Sequence, residues 1–109
     1  MAIKLPTVIA DYFAADRHAD AEAISRCFAP AAVVIDEGKS HTGRAAIAQW
    51  MANASTQYSY TVEPFALAHE GEHTVVTSHL TGNFPGSPVD LRYRFMIDGN
   101  QITRLEIAP

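Results

Sequence analysis

The sequence predicts an α+β domain, a curved antiparallel β-sheet with three helices from the N-terminal half that form a cone-shaped cavity with it. Three observations predict this. Apolar residues recur mainly at three- and four-residue spacing as far as residue 58, and at two-residue spacing after it. Turn signals at Glu70-Gly71-Glu72 and Asp98-Gly99 cut the second half into strand-length pieces. Helices gathered ahead of a run of strands are the α+β pattern, and a curved sheet under helices leaves an apolar hollow suited to a ligand.

In chain order, Ile3, Val8, Ile9, Tyr12 and Phe13 share a helical stripe, so residues 5–15 are expected to form the first helix. Pro6 fits its first turn, where the missing N–H costs nothing. Asp16 to Asp20 reads as a polar break. Asp20 can cap a second helix with Ile24, Cys27 and Phe28 on its buried side, ended by Pro30. Residues 32–36 form a strand, and Glu37-Gly38-Lys39-Ser40 turns the chain into a short second one. Thr42 or Gly43 opens a third helix with Ile47, Trp50, Met51 and Ala54 on one face. Residues 58–69 read as a long strand, bent or bulged near Pro64. Residues 73–81 return, residues 82–88 form a loop, and residues 89–97 and 101–107 form the last hairpin.

The 109 residues fit one domain, 1–109. With 48% hydrophobic and 18% charged residues the chain is globular rather than disordered. A net charge of −4 and the lack of a basic stripe argue against nucleic acid as a partner. Cys27 is the single cysteine, which excludes an internal disulfide and favours a reducing compartment. The start of the chain lacks the apolar core of a signal peptide, and no apolar run approaches the roughly 18 residues that span a bilayer. A cytoplasmic protein with no membrane partner is expected.

The chemistry centres on Asp36, which closes the apolar run Ala32-Val33-Val34-Ile35 between Tyr12 on one helix and Trp50 on another. A carboxylate walled by apolar side chains is desolvated, and its raised pKa suits a general base. The alternative is a carboxylate that bonds backbone N–H groups of the following turn. Tyr12 needs a partner for its hydroxyl if its ring is buried, either a ligand carbonyl or a backbone group. Trp50 on a helical stripe serves the core, and the pocket is the hollow part of that core. His69-Glu70-Gly71-Glu72-His73 matches the H-E-x-x-H string, but Gly71 lies between two strand patterns, so the string spans a turn and no metal site is expected.

The segments Phe28-Ala29-Pro30 to Val33-Val34-Ile35-Asp36, Thr42-Gly43-Arg44-Ala45-Ala46-Ile47 with Trp50, and Tyr93-Arg94-Phe95 through Asp98-Gly99 to Ile102 carry a family likeness. Through them the whole chain resembles the SnoaL-like, ketosteroid-isomerase-like branch of the nuclear transport factor 2-like superfamily. The resemblance implies that Tyr12 stabilises an oxyanion, that Asp36 shuttles a proton and that Trp50 lines the pocket. It also implies that His79, beside Thr77, enters the cavity as a second acid/base, and that Val34, Leu91, Tyr93, Phe95, Thr103, Leu105 and Ile107 line it. Leu91 stands where ketosteroid isomerases carry a protonated aspartic acid; Asp90 is one residue off, and such an offset on a strand points to the other face. The implied activity is proton abstraction next to a carbonyl, of the isomerase or cyclase type, on a small apolar carbonyl-type ligand and without a cofactor. The alternative is a non-catalytic ligand-binding or dimerisation module of the same fold. A homodimer through the outer sheet face is expected, because apolar residues alternate on both faces of the late strands.

Overall fold

The computed structural model describes residues 3–109 of the chain. Three helices, α1 (Thr7–Arg17), α2 (Ala21–Arg26) and α3 (Arg44–Gln57), accompany six strands. The strands are β1 (Phe28–Asp36), β2 (Lys39–Thr42), β3 (Tyr60–Glu70), β4 (His73–Gly82), β5 (Val89–Asp98) and β6 (Gln101–Ala108). They form one curved, unclosed sheet in the order β2-β1-β6-β5-β4-β3. Every neighbouring pair is antiparallel except β1–β6, which is parallel. The expectation of a purely antiparallel sheet is corrected at that one pair. Parallel neighbours need a long crossover, and α3 with β2 to β5 supplies it.

Local chemistry explains most of the boundaries. Pro6 is the N-cap of α1. The Asp20 side chain accepts the Ala23 N–H at 3.0 Å and caps α2. The expected break at Asp16 falls later, because α1 continues through Arg17 and the chain leaves the helix at His18 and Ala19. Pro30 does not end a helix as expected: α2 stops at Arg26, and Pro30 lies in the first, irregular part of β1. There the Phe28 carbonyl accepts from Arg44 Nε at 2.8 Å, a side chain in place of a strand partner. Glu37 and Gly38 both have positive φ and join β1 to β2 by a two-residue turn. Gly71 and Gly99 each open a two-residue hairpin loop with φ of 62°. The expected bulge appears in β3, where the register shifts between Pro64 and Ala66. The H-E-x-x-H string spans the β3–β4 hairpin, so its two histidines do not share a helix face.

The core lies between the helices and the inner sheet face. Ile9, Tyr12 and Phe13 of α1, Ile24 of α2, and Ile47, Trp50 and Met51 of α3 are buried against it. The sheet contributes Val34, Val76, Leu80, Tyr93, Phe95 and Leu105. Register fixes which face is inner. Val76 pairs with Tyr93 and Ser78 with Leu91, so Val76, Ser78 and Leu80 share the inner face with Leu91, Tyr93 and Phe95. Thr77 and His79, opposite Arg92 and Asp90, therefore lie on the outer face. Outer side chains of β5, β6 and β1 include Arg92, Arg94, Arg104, Met96, Val33 and Ile35, and Arg92 is ion-paired with Glu70.

Candidate functional site

A cavity of about 370 Å³ opens between α1, α3 and the inner sheet face. Asp36, the last residue of β1, points into it on the same side as buried Val34. The Trp50 indole N–H, from α3, donates to Asp36 Oδ2 at 3.0 Å. Burial raises the Asp36 carboxyl above its ordinary value, and the Trp50 hydrogen bond opposes that rise by favouring the ionised form. The β1–β2 hairpin sets the rest of this wall. It pairs Asp36 with Lys39 and Val34 with His41, so both β2 side chains border the cavity, and the His41 ring lies 6.1 Å from that of Trp50.

Tyr12 projects from α1 into the same space and is 1% exposed. Its ring stands edge-on to those of Phe13, Phe28, Tyr93 and Phe95, with centroids 5.1 to 6.4 Å apart. Burial, then the neighbouring Asp16 and the other tyrosines, push its hydroxyl well above the usual phenol range. The Tyr93 hydroxyl is raised likewise, by burial first and then by Asp16. Among the described residues no side-chain hydrogen bond is formed by either hydroxyl, and both side chains border the cavity. They are neutral donors free to meet a ligand oxygen.

Three further side chains at the cavity, Asp16, Tyr60 and His41, lie outside the sequence reading. Asp16 completes the stripe Ile9, Tyr12, Phe13 and Asp16 on α1, and it is 9% exposed. The Tyr60 hydroxyl, from the start of β3, donates to Asp16 Oδ1 at 3.1 Å. Burial pushes Asp16 up to about 6, against the Tyr60 hydrogen bond and the positive Arg17. The signal for Asp16 is its place at three- and four-residue spacing on the apolar stripe. The signal for His41 is its two-residue turn, which puts it across from Val34.

The other expected lining residues divide. Leu91 and Ile107 border the cavity beside Tyr93, while Val34, Phe95 and Leu105 are packed in the core and do not border it. The Thr103 hydroxyl donates to the Met96 carbonyl at 3.2 Å, where the β5–β6 register shifts, and is not in the lining. His79 and Thr77 are corrected: they lie on the outer face, and His79 Nδ1 is 2.7 Å from Asp90 Oδ1. The physical reason is the β4–β5 register, in which Leu91 faces Ser78 rather than His79 or Thr77. The same register keeps Asp90 out of the cavity. Loop residues Phe84 and Pro85 with Tyr58 form the mouth, where the Tyr58 and Phe84 rings meet edge to face at 6.4 Å.

The arrangement places the carboxyls of Asp16 and Asp36 and the hydroxyls of Tyr12, Tyr60 and Tyr93 around one aromatic-walled cavity, with Glu37 and Tyr58 also in its lining. It can bind a small uncharged molecule and exchange protons with it. Among the described residues no cluster of histidine, cysteine and acidic side chains could hold a metal ion, and no helix is long and apolar enough to cross a membrane.

The same fold and proportions occur in solved proteins. The chain is 44% identical to a proposed polyketide cyclase of Sinorhizobium meliloti, with a TM-score of 0.90 over 95% of each chain. A Catenulispora acidiphila protein with a ketosteroid isomerase-like fold, in complex with trimethylamine, is 20% identical at a TM-score of 0.85, over 97% of this chain and 87% of that one. TerC, co-crystallised with polyporic acid, is 19% identical at a TM-score of 0.78, over 94% of this chain and 88% of that one. No curated protein matches the chain. The model of the SnoaL-like domain matches residues 9–105, a span holding Tyr12, Asp36, Trp50 and Tyr93. On that match and the Sinorhizobium relative, the chain belongs to the SnoaL-like family.

Proposed function

We propose that the protein binds a small carbonyl compound in this cavity and moves a proton on the carbon next to the carbonyl, as an isomerase or cyclase does, with Asp36 as the general base. The observation that carries this reading is that Asp36 and the unpartnered Tyr12 hydroxyl open into one cavity. Abstraction of the α-proton builds charge on the carbonyl oxygen, and donors aimed there supply most of the stabilisation. Tyr12 is the first donor. Tyr93, whose ring centroid is 6.4 Å from that of Tyr12, is the second and supplies a donor that the Leu91 side chain cannot. Trp50 holds the Asp36 carboxylate in position through its N–H. The chemistry needs no cofactor. The trimethylamine and polyporic acid held by structural neighbours support a small-molecule cavity, and the polyketide cyclase proposed in Sinorhizobium supports carbonyl chemistry.

Asp36→Asn keeps the shape and removes the base. Turnover should fall by about two to four orders of magnitude, the usual contribution of a positioned base. A panel of carbonyl substrates scored by α-carbon deuterium exchange checks this. Equal exchange by parent and variant would falsify the role of Asp36. A second reading, a non-catalytic ligand-binding module, is favoured by Leu91, which puts an alkyl group where ketosteroid isomerases carry an acid. It requires that ligands bind and that none is turned over. We place the protein in the cytoplasm as a homodimer, on the single free Cys27 and on the apolar residues of the outer sheet face.

A further inference from the structure

Asp16 stands in the wall between two cavities. Besides the one described, a second of about 400 Å³ opens beyond Tyr60 and is bordered by Arg17, Ser55 and Asn83. Asp16 and Tyr60 border both. On the inner side Asp16 follows Tyr12 by one helical turn, so the carboxyl and the proposed oxyanion donor share a face of α1. Its side-chain hydrogen bond within the protein is the one that Tyr60 donates to Oδ1. A buried carboxylate held by one hydroxyl is a poor structural tie. A neutral amide could accept the same bond without placing a charge in the interior.

We propose that Asp16 is the second acid/base of the cavity: it gives a proton to the substrate oxygen beside Tyr12 while Asp36 takes one from the adjacent carbon. The proposal rests on the reading of Asp36 as the base. In the step, ionised Asp36 removes the α-proton, the C–H pair becomes the new C=C bond, and the carbonyl π pair moves to oxygen, which takes the proton of Asp16. The products are an enol, neutral Asp36 and ionised Asp16, and no oxidant or reductant is involved. The second cavity gives Asp16 a route to recover its proton from solvent without passing the bound ligand.

The two carboxyls differ in environment as this division of labour requires. Asp16 is raised to about 6 by burial, and Asp36 is raised by burial against the Trp50 hydrogen bond, which favours its ionised form. The groups facing Asp16 are Tyr60 from β3, Tyr93 from β5, and Tyr12 and Arg17 from its own helix. From α3 the neighbours are Met51 and Gln57, neither of which titrates.

The test is α-hydrogen exchange of 2-tetralone, 2-indanone and ethyl acetoacetate in D₂O by the full chain, followed by NMR from about pH 4 to about pH 8. The parent rate should fall on the alkaline side with a midpoint near 6. Asp16→Asn should be about a hundredfold slower at the parent's optimum and lose that limb. Tyr60→Phe removes a bond that favours the ionised acid, so the limb should move up by about one pH unit. The carbon-13 carboxyl resonance of Asp16 should titrate at the same midpoint as the limb. A parent that exchanges none of the probes overturns the Asp36 reading and this one with it. If Asp36→Asn abolishes exchange while Asp16→Asn keeps the alkaline limb, only the Asp16 role is overturned. An Asp16 carboxyl titrating in the ordinary range near about 4 has the same consequence.

Discussion

Asp16 and Asp36 hold the same functional group in different surroundings, and the difference lies in what donates to each. Trp50 offers Asp36 an indole N–H, and Tyr60 offers Asp16 a phenolic O–H, at nearly equal distances of 3.0 and 3.1 Å. Asp16 is the more deeply buried, and desolvation outweighs its hydrogen bond. This has a consequence for stability. Its folded pKa, about 6, lies above the ordinary carboxylate value, so the stability linked to its protonation is complete below about pH 4. That stability is lost as the pH rises through about 6. At pH 7.5 the parent therefore carries a buried charge that Asp16→Asn does not, while the amide oxygen can still accept from Tyr60. The variant should be more stable than the parent at that pH by roughly 2–3 kcal/mol, and the gap should close near pH 4. Urea unfolding at the two pH values measures it. A variant less stable at pH 7.5 would mean that the Tyr60 bond outweighs the cost of burying the charge.

Strand β4 shows what pairing decides that pattern does not. Its alternate residues offer two candidate inner faces, Val75-Thr77-His79 and Val76-Ser78-Leu80. Only the register against β5 selects the second. The choice was legible in one respect: Val76 and Leu80 are more apolar than Thr77 and His79. The family resemblance pulled the other way, toward a cavity histidine. Because His79 and Asp90 form an exposed pair on the outer face, His79→Ala should leave turnover within about twofold of the parent and stability nearly unchanged. Steady-state kinetics on any substrate of the parent checks it, and a large loss of kcat would reinstate His79 in the site. The helices and hairpins were legible because caps, apolar stripes and glycine turns are local. Asp20, Pro6, Gly71 and Gly99 act within a few residues of themselves. Tyr12, Asp36 and Trp50 were legible because each ends or lines an apolar pattern. Asp16 was not, since its partner Tyr60 is 44 residues away and a polar residue at a helix end reads locally as a break. The extent of β1 was hidden for a similar reason. Phe28 becomes a strand residue only through its pairing with Ile102, and Arg44 supplies the bond that its carbonyl needs.

Helices cover one side of the sheet, so the outer side has only its own side chains. There Val33, Ile35 and Met96 are interspersed with Arg92, Arg94 and Arg104, and Arg94 Nε is buried without a hydrogen-bond partner among the described residues. A second copy laid face to face would cover the alkyl groups and could offer an acceptor to Arg94. Sedimentation should therefore give a dimer at micromolar concentration, and Met96→Glu should shift it toward monomer. A parent sedimenting as a monomer under those conditions would remove this face from consideration. The strand order has a further consequence, in time rather than space. β6 is inserted between β1 and β5. Until it is synthesised, the β1–β2 hairpin and the β3–β4–β5 meander have no hydrogen-bonded link, and the inner face is in two unjoined parts. Asp36 on the first part and Tyr93 on the second can be held in place only after the last of the six strands has left the ribosome. Of the two ladders that join them, β5–β6 is a tight hairpin and β1–β6 spans most of the chain in sequence separation, so closure through β1 is slow relative to hairpin formation. The nascent chain thus carries two unjoined parts of a cavity that wait for one strand.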